Sequence, residues 1–301
     1  MHLFGYGYDK SDNIKFDRVR EFCRSEGVDE EYMRTLIKRD TRSGDTVKKV
    51  PSNKGNSRAG SKKALLCGGA AILLFIYQRA ADKVGSFAAG LISVAKIDPD
   101  NAFARNCVHH AIMLLTALAA VLILGRILNV DFGLGFGDRK TGVRFALIYT
   151  VVIAWIALAV NAVMATGGSL PVYDYPLNRR NVAGTLCFQL FLTGPAEELL
   201  FRALPIPVLS TINGGNASAG RGVTTETVIA AFLFAIAHMK LSFFPFDIKA
   251  DIFGLLYAFG QGIVSGWAYS KSRSVIYPMF MHSVSNVLMV GIGYMFIYAN
   301  Q

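Results

Sequence analysis

The chain has 301 residues, of which 52% are hydrophobic and 17% charged, and it carries a net charge of +10. Residues 1–63 hold 15 Lys/Arg and 10 Asp/Glu, whereas residues 274–301 hold no charged side chain at all. That distribution excludes an ordinary soluble enzyme. It also argues against nucleic acid as the partner of the basic residues, which precede the first apolar run or flank later ones, as anionic lipid and the positive-inside rule would have them. On that rule the N-terminal segment is cytoplasmic. The four cysteines, Cys23, Cys67, Cys107 and Cys187, are widely spaced with no C-x-x-C pair, so neither a disulfide framework nor a cysteine metal site is expected. The first 60 residues lack the apolar core of a signal peptide.

In chain order, residues 1–50 read as a short soluble helical appendage. Ile14, Phe16, Val19 and Phe22, and then Tyr32, Leu36 and Ile37, fall at helical spacing. The piece is too small to bury a core alone. Residues 51–63, rich in Ser, Asn, Gly and Lys, are expected to be a flexible basic linker. The remainder, 64–300, is predicted to be an all-α, polytopic bundle of about seven or eight transmembrane helices. Uncharged stretches at 107–125, 145–167, 252–270 and 274–301 have the length a span needs, roughly 20 residues. Two earlier runs, 64–77 and 84–95, are short for spans. His109 and His110, at the start of the 107–128 helix, read as an interfacial polar cap. The glycine-rich 131–141 stretch fits neither nucleotide fingerprint and is expected to be a connector. A helix over 182–204 is predicted to end at Pro205 and Pro207, with Pro195 bending or starting it. Gly262 and Gly266 form a small-x-x-x-small pair that permits close helix contact.

Chemistry concentrates in the last four helices. Glu197, Glu198 and Arg202 are the only charges between Arg180 and Arg221. An ionisable group at mid-bilayer depth costs about 2.5–3.5 kcal/mol on insertion scales, so three in six positions demand a purpose. Glu198 and Arg202 are i,i+4 and can pair. Glu197 lies about 100° round the helix, with Phe201 rather than a cation at i+4, which leaves it as a spare carboxylate fit for general acid–base work. His238, His282 and Asn286 are the other distinctive polar groups, with Gln261 less so. Singly, each is ordinary interhelical glue. Together, a free carboxylate, two imidazoles and an amide supply a base, a proton carrier and hydrogen-bond donors for an oxyanion.

EELLFR (197–202), FAIAH (234–238) and HSVSN (282–286) match in order the E-E-x-x-x-R, F-x-x-x-H and H-x-x-x-N motifs of the CPBP family. These are intramembrane proteases that include CAAX prenyl proteases and bacteriocin-processing (Abi) proteins. The resemblance spans about 181–293. It implies an all-helical membrane protease whose cavity opens to bilayer and cytosol. Glu197 would activate the attacking water, assisted by His238; His282 and Asn286 would stabilise the oxyanion; Glu198 and Arg202 would hold the helix in position. The implied function is endoproteolysis of a membrane-associated peptide, with a prenylated CAAX substrate as one option. The cofactor stays open. Glu197, His238 and His282 would be the zinc ligands if there were zinc, but H-E-x-x-H is absent and a glutamate-activated water needs no metal. The competing readings are a non-catalytic membrane scaffold or bacteriocin-immunity factor that keeps the fold, and a transporter, which no internal repeat supports.

Overall fold

The computed structural model describes residues 55–214, 222–243, 246–249 and 251–300. The expected appendage at 1–50 and the first part of the expected linker lie outside the described residues. The elements, in order, are α1 (Gly55–Leu91), α2 (Ala104–Leu128) and α3 (Arg139–Thr166). A long helical run follows: α4 (Arg179–Phe188), a π-helical turn (Gln189–Thr193), α5 (Gly194–Glu198), a second π turn (Leu199–Ala203) and α6 (Pro205–Asn213). Then come α7 (Thr225–Ala237), a hairpin of β1 (Lys240–Phe243) and β2 (Phe246–Lys249), α8 (Ile252–Ser272) and α9 (Ile276–Ala299). The antiparallel hairpin, with Lys240 opposite Lys249, is a small interruption of an otherwise all-helical bundle.

Among the described residues, four helices are long and apolar enough to cross a membrane: α1, α2, α3 and α9. Their outward faces carry bare hydrocarbon, as with Trp155 at 70% and Leu73 at 69% exposure, which in water would be prohibitive and in lipid is the stable arrangement. By contrast α7, at 13 residues, is about 20 Å long and cannot span a 30 Å core alone. The most buried part of the molecule is α5 and the second π turn, where Ala196, Leu200 and Ala203 are fully enclosed by α1, α2 and α7.

Three sequence expectations change. The runs at 64–77 and 84–95 are halves of one helix, α1, which begins at Gly55 within the stretch read as linker. The polar residues separating them face protein: Gln78 donates to the Leu200 carbonyl (3.1 Å) and Arg79 to that of Ala237 (2.8 Å). The helix over 182–204 does not end at Pro205. Pro205 opens α6, because a first-turn residue needs no amide donor, and the preceding π turn is closed by Leu204 N–H to Leu199 O at 3.0 Å. That same segment is not one regular helix but is broken twice by π turns.

The glycine-rich connector is packed, not open. Gly133 and Gly137 have φ of 67° and 49°, and a Cβ on Gly137 would lie only 2.0 Å from the Ser272 carbonyl oxygen. The loop pins the α8–α9 corner through Asp138 N–H to Ser272 O (2.7 Å) and Val275 N–H to Gly133 O (2.9 Å). Gly262 and Gly266 let α8 lie directly on Ala231 and Thr227 of α7.

The α1–α2 loop fastens the start of α2 to the start of α4. Asp98, fully buried, accepts from the backbone N–H groups of Ala102 (2.9 Å), Phe103 (2.7 Å) and Ala104 (2.8 Å). Asp100 pairs with Arg180 and accepts from Asn181 (2.9 Å). Burial pushes the Asp98 carboxyl up, but those three amides and Arg180 outweigh it and hold it below the usual carboxylate range. Asp98→Ala is therefore expected to cost about 2–3 kcal/mol at neutral pH. A lowered folded pKa means this contribution is present above the unfolded value, about 3.9, and is lost as pH falls through the folded one. Thermal unfolding in detergent should show wild type and variant separated at pH 7, with the gap narrowing as the pH is lowered past the ordinary carboxylate range. Equal midpoints at pH 7 contradict the assignment.

Candidate active site

The two acids sit where helical geometry is locally unwound. Each π turn inserts one extra residue per turn, a feature common at functional sites, and together they flank the five residues of α5. Close packing does the rest: a Cβ on Gly194 would lie 2.4 Å from both Met279 O and Ser283 Oγ. Only glycine there lets α5 press against α9, which brings Glu197 and Glu198 to His282.

Glu198 and Arg202 are completely enclosed, with Glu198 Oε2 3.2 Å from Arg202 Nε. The i,i+4 pairing expected from the spacing is present. Its geometry is a charge contact without an aligned hydrogen bond, and none of the guanidinium nitrogens has a hydrogen-bond partner. The guanidinium instead lies over the Phe234 ring, 4.0 Å from its centroid, a desolvated cation–π contact. Glu198 Oε1 takes His282 Nδ1 at 2.8 Å. Phe234 is the hub at which the three motifs meet: its ring also touches those of His238 (4.6 Å) and His282 (5.9 Å) edge-on.

Glu197 has two imidazole neighbours, His282, which the motifs place beside it, and His110, which they do not. His282 Nε2 is 3.6 Å from its Oε2, and His110 Nε2 is 3.4 Å from its Oε1. His110 is thus not an interfacial cap, whereas His109 turns the other way, to Asp82 (3.3 Å) and Met113. Glu197 keeps 17% of its side chain exposed against none for Glu198, so of the two acids it is the one open to water or substrate. His238 is exposed, terminates α7 and gives Nδ1–H to Phe234 O at 2.9 Å; no hydrogen bond joins it to Glu197. Asn286 donates Nδ2–H to Gln189 Oε1 (2.9 Å), which also accepts from Thr193 (3.0 Å). Gln189 is a second residue that sequence reasoning missed. Its position on the first π turn, facing Asn286, carries no periodic signature.

Among the described residues no three His, Cys, Asp or Glu side chains are arranged to hold a metal ion. The trio considered for zinc, Glu197, His238 and His282, forms no such group. The described residues do not fit the ion. A cavity of about 680 Å³ lies between α3 and α8, lined by Phe145, Tyr149, Leu256, Tyr257 and Gln261 among others. Neither acid lines it; its Tyr257 reaches Ser285 Oγ (3.0 Å), the residue before Asn286.

Residues 179–288 match the family model described as type II CAAX prenyl endopeptidase Rce1-like. This segment is similar to that family. No curated protein and no solved structure matches the chain significantly. The Rce1-like segment contains all three motifs and agrees with the CAAX-protease resemblance they carry. It does not contain α1, α2 or α3, so Gln78, Arg79 and His110 reach the site from outside it. The match to that family model, together with long apolar helices, supports a membrane protein whose 179–288 segment is similar to CAAX proteases.

Proposed function

We propose that the protein is an intramembrane endopeptidase in which Glu197 activates water against a peptide bond of a membrane-associated substrate. The observation that carries this reading is the position of Glu197: partly open, flanked by His282 and His110, beside a fully enclosed acid that is already committed to Arg202. Glu197 takes a proton from water as the water oxygen attacks the scissile carbonyl, and returns it to the leaving amine. Asn286 has two amide protons. One is fixed on Gln189, which leaves the other for the oxyanion. His282 gives Nδ1–H to Glu198, so an oxyanion donor at Nε2 requires the doubly protonated ring. His238, exposed at the rim, serves as a proton carrier to solvent. The basic N-terminal segment lies on the cytoplasmic side, and a prenylated CAAX peptide is the first substrate to test.

The test is full-length protein in proteoliposomes, offered prenylated and unprenylated CAAX peptides and a panel of membrane-anchored peptides, with products read by mass spectrometry. Cleavage is expected. Asn286→Ala should lower kcat by about 10²–10³, the loss seen when one oxyanion donor is removed, with thermal unfolding unchanged. Failure to cleave any peptide, in a protein folded as judged by its unfolding transition, favours the non-catalytic scaffold. Wild-type turnover by a folded Asn286→Ala removes that residue from the mechanism.

A further inference from the structure

Resting on the proteolytic reading above, we propose that His110, contributed by α2 from outside the Rce1-like segment, is a positioning residue for Glu197. It fixes one carboxylate oxygen so that the other faces water beside His282. The argument begins with hydrogen-bond roles. His110 Nδ1 is 3.1 Å from the Asn106 carbonyl oxygen, and a carbonyl oxygen can only accept, so Nδ1 carries a proton. Nε2 then meets Glu197 Oε1 at 3.4 Å. A bare lone pair facing a carboxylate would repel it, so one proton lies between the two atoms, and Glu197 is a base only while that proton belongs to the ring and the acid is a carboxylate. Oε1 is then held by the ring N–H, and Oε2, toward His282 at 3.6 Å, is the oxygen left to accept a proton from water. The contact is at the long end of a hydrogen bond, as free active sites often are before substrate tightens them.

The ring has no freedom to serve another purpose. It is only partly exposed, and Phe188 at the end of α4 meets it edge-on at 4.9 Å. Its neighbour His109 is 5.0 Å away by ring centroids and is itself engaged by Asp82 on α1. The backbone beneath is fixed as well. Asp98 holds the first residues of α2, and Asp100 ties that loop to Arg180 and Asn181 at the start of α4. The Phe103 ring lies flat on Gly184, where a Cβ would come within 2.3 Å. The loop that begins α2 is therefore built against the same helix that leads into Glu197, which is what delivering a side chain to a neighbouring element requires.

The reconstituted full-length protein distinguishes a positioning role from a merely structural one. His110→Gln keeps a polar group at the reach of Nε2 that can donate to the Glu197 carboxylate. His110→Asn is equally polar but too short, and His110→Leu is apolar. On a peptide the wild type cleaves, Leu and Asn are expected to lower kcat by about 10–100-fold with KM nearly unchanged, and Gln to recover to within a few-fold of wild type. All three should unfold at midpoints close to wild type; if Leu fails to fold, the Asn–Gln comparison decides. Wild-type kcat in Asn or Leu, or a Gln variant as impaired as Asn, overturns the proposal while leaving the proteolytic reading intact. A wild type that cleaves nothing overturns both.

Discussion

Glu197→Gln is expected to lower kcat/KM by about 10²–10⁴, the range supplied by a positioned general base, without altering the unfolding transition. The amide is the same size and can still meet His110 and His282, so packing around α5 is kept. What it cannot do is accept a proton from water. The two adjacent acids make this a discriminating substitution. Glu198 is completely enclosed, touches Arg202 and His282, and has no path to a substrate; Glu197 is the one with an open edge. Initial rates on a cleavable peptide, measured beside thermal unfolding of the same preparations, check it. A folded Glu197→Gln within tenfold of wild type would leave the reaction without its base.

Arg202→Met is expected to produce the largest loss of stability, about 3–5 kcal/mol, the usual cost of removing one partner of a buried ion pair. The guanidinium is wholly enclosed, with Glu198 on one side and the Phe234 ring on the other. Methionine fills much of the volume but leaves Glu198 an anion with only His282 to balance it. Glu198→Gln/Arg202→Met removes the charge that Arg202 offset. The double variant should therefore recover a substantial part of the loss, since replacing both members of a buried pair is commonly close to neutral. Denaturant titration in mixed micelles gives the four corners of the cycle. A single Arg202→Met as stable as wild type, or a double variant less stable than the single, contradicts the assignment of Arg202 as counter-charge.

What could be read from the residues was whatever follows from local spacing. Four residues separate Glu198 from Arg202, one helical turn, and the pair forms even though the second π turn loosens that turn. The small-residue spacing of Gly262 and Gly266 marks the face on which α8 meets α7. Absence of charge over 274–301 marks α9 as a span. What escaped depends on tertiary arrangement. Two short apolar runs in α1 looked separate because Gln78, Arg79, Asp82 and Lys83 lie between them; Gln78 and Arg79 are polar because they bond backbone carbonyls of the second π turn and α7. The π turns themselves leave no pattern in composition. His109 and His110 look alike in the chain, and only the rotation of α2 turns one toward Asp82 and the other toward Glu197. His238, joined to the acids by motif, gives its Nδ1–H to its own helix and meets the Phe234 ring edge-on.

The most direct test of Glu197-activated water is a single turnover in H₂¹⁸O with enzyme in excess over a cleavable peptide. Mass spectrometry then locates the label in the product and in the Glu197 side chain. Direct attack by water puts one ¹⁸O into the new C-terminal carboxylate in the first turnover and none into Glu197. Label in the Glu197 carboxylate, with an unlabelled product, would mean that this residue attacks the peptide itself and is not the base.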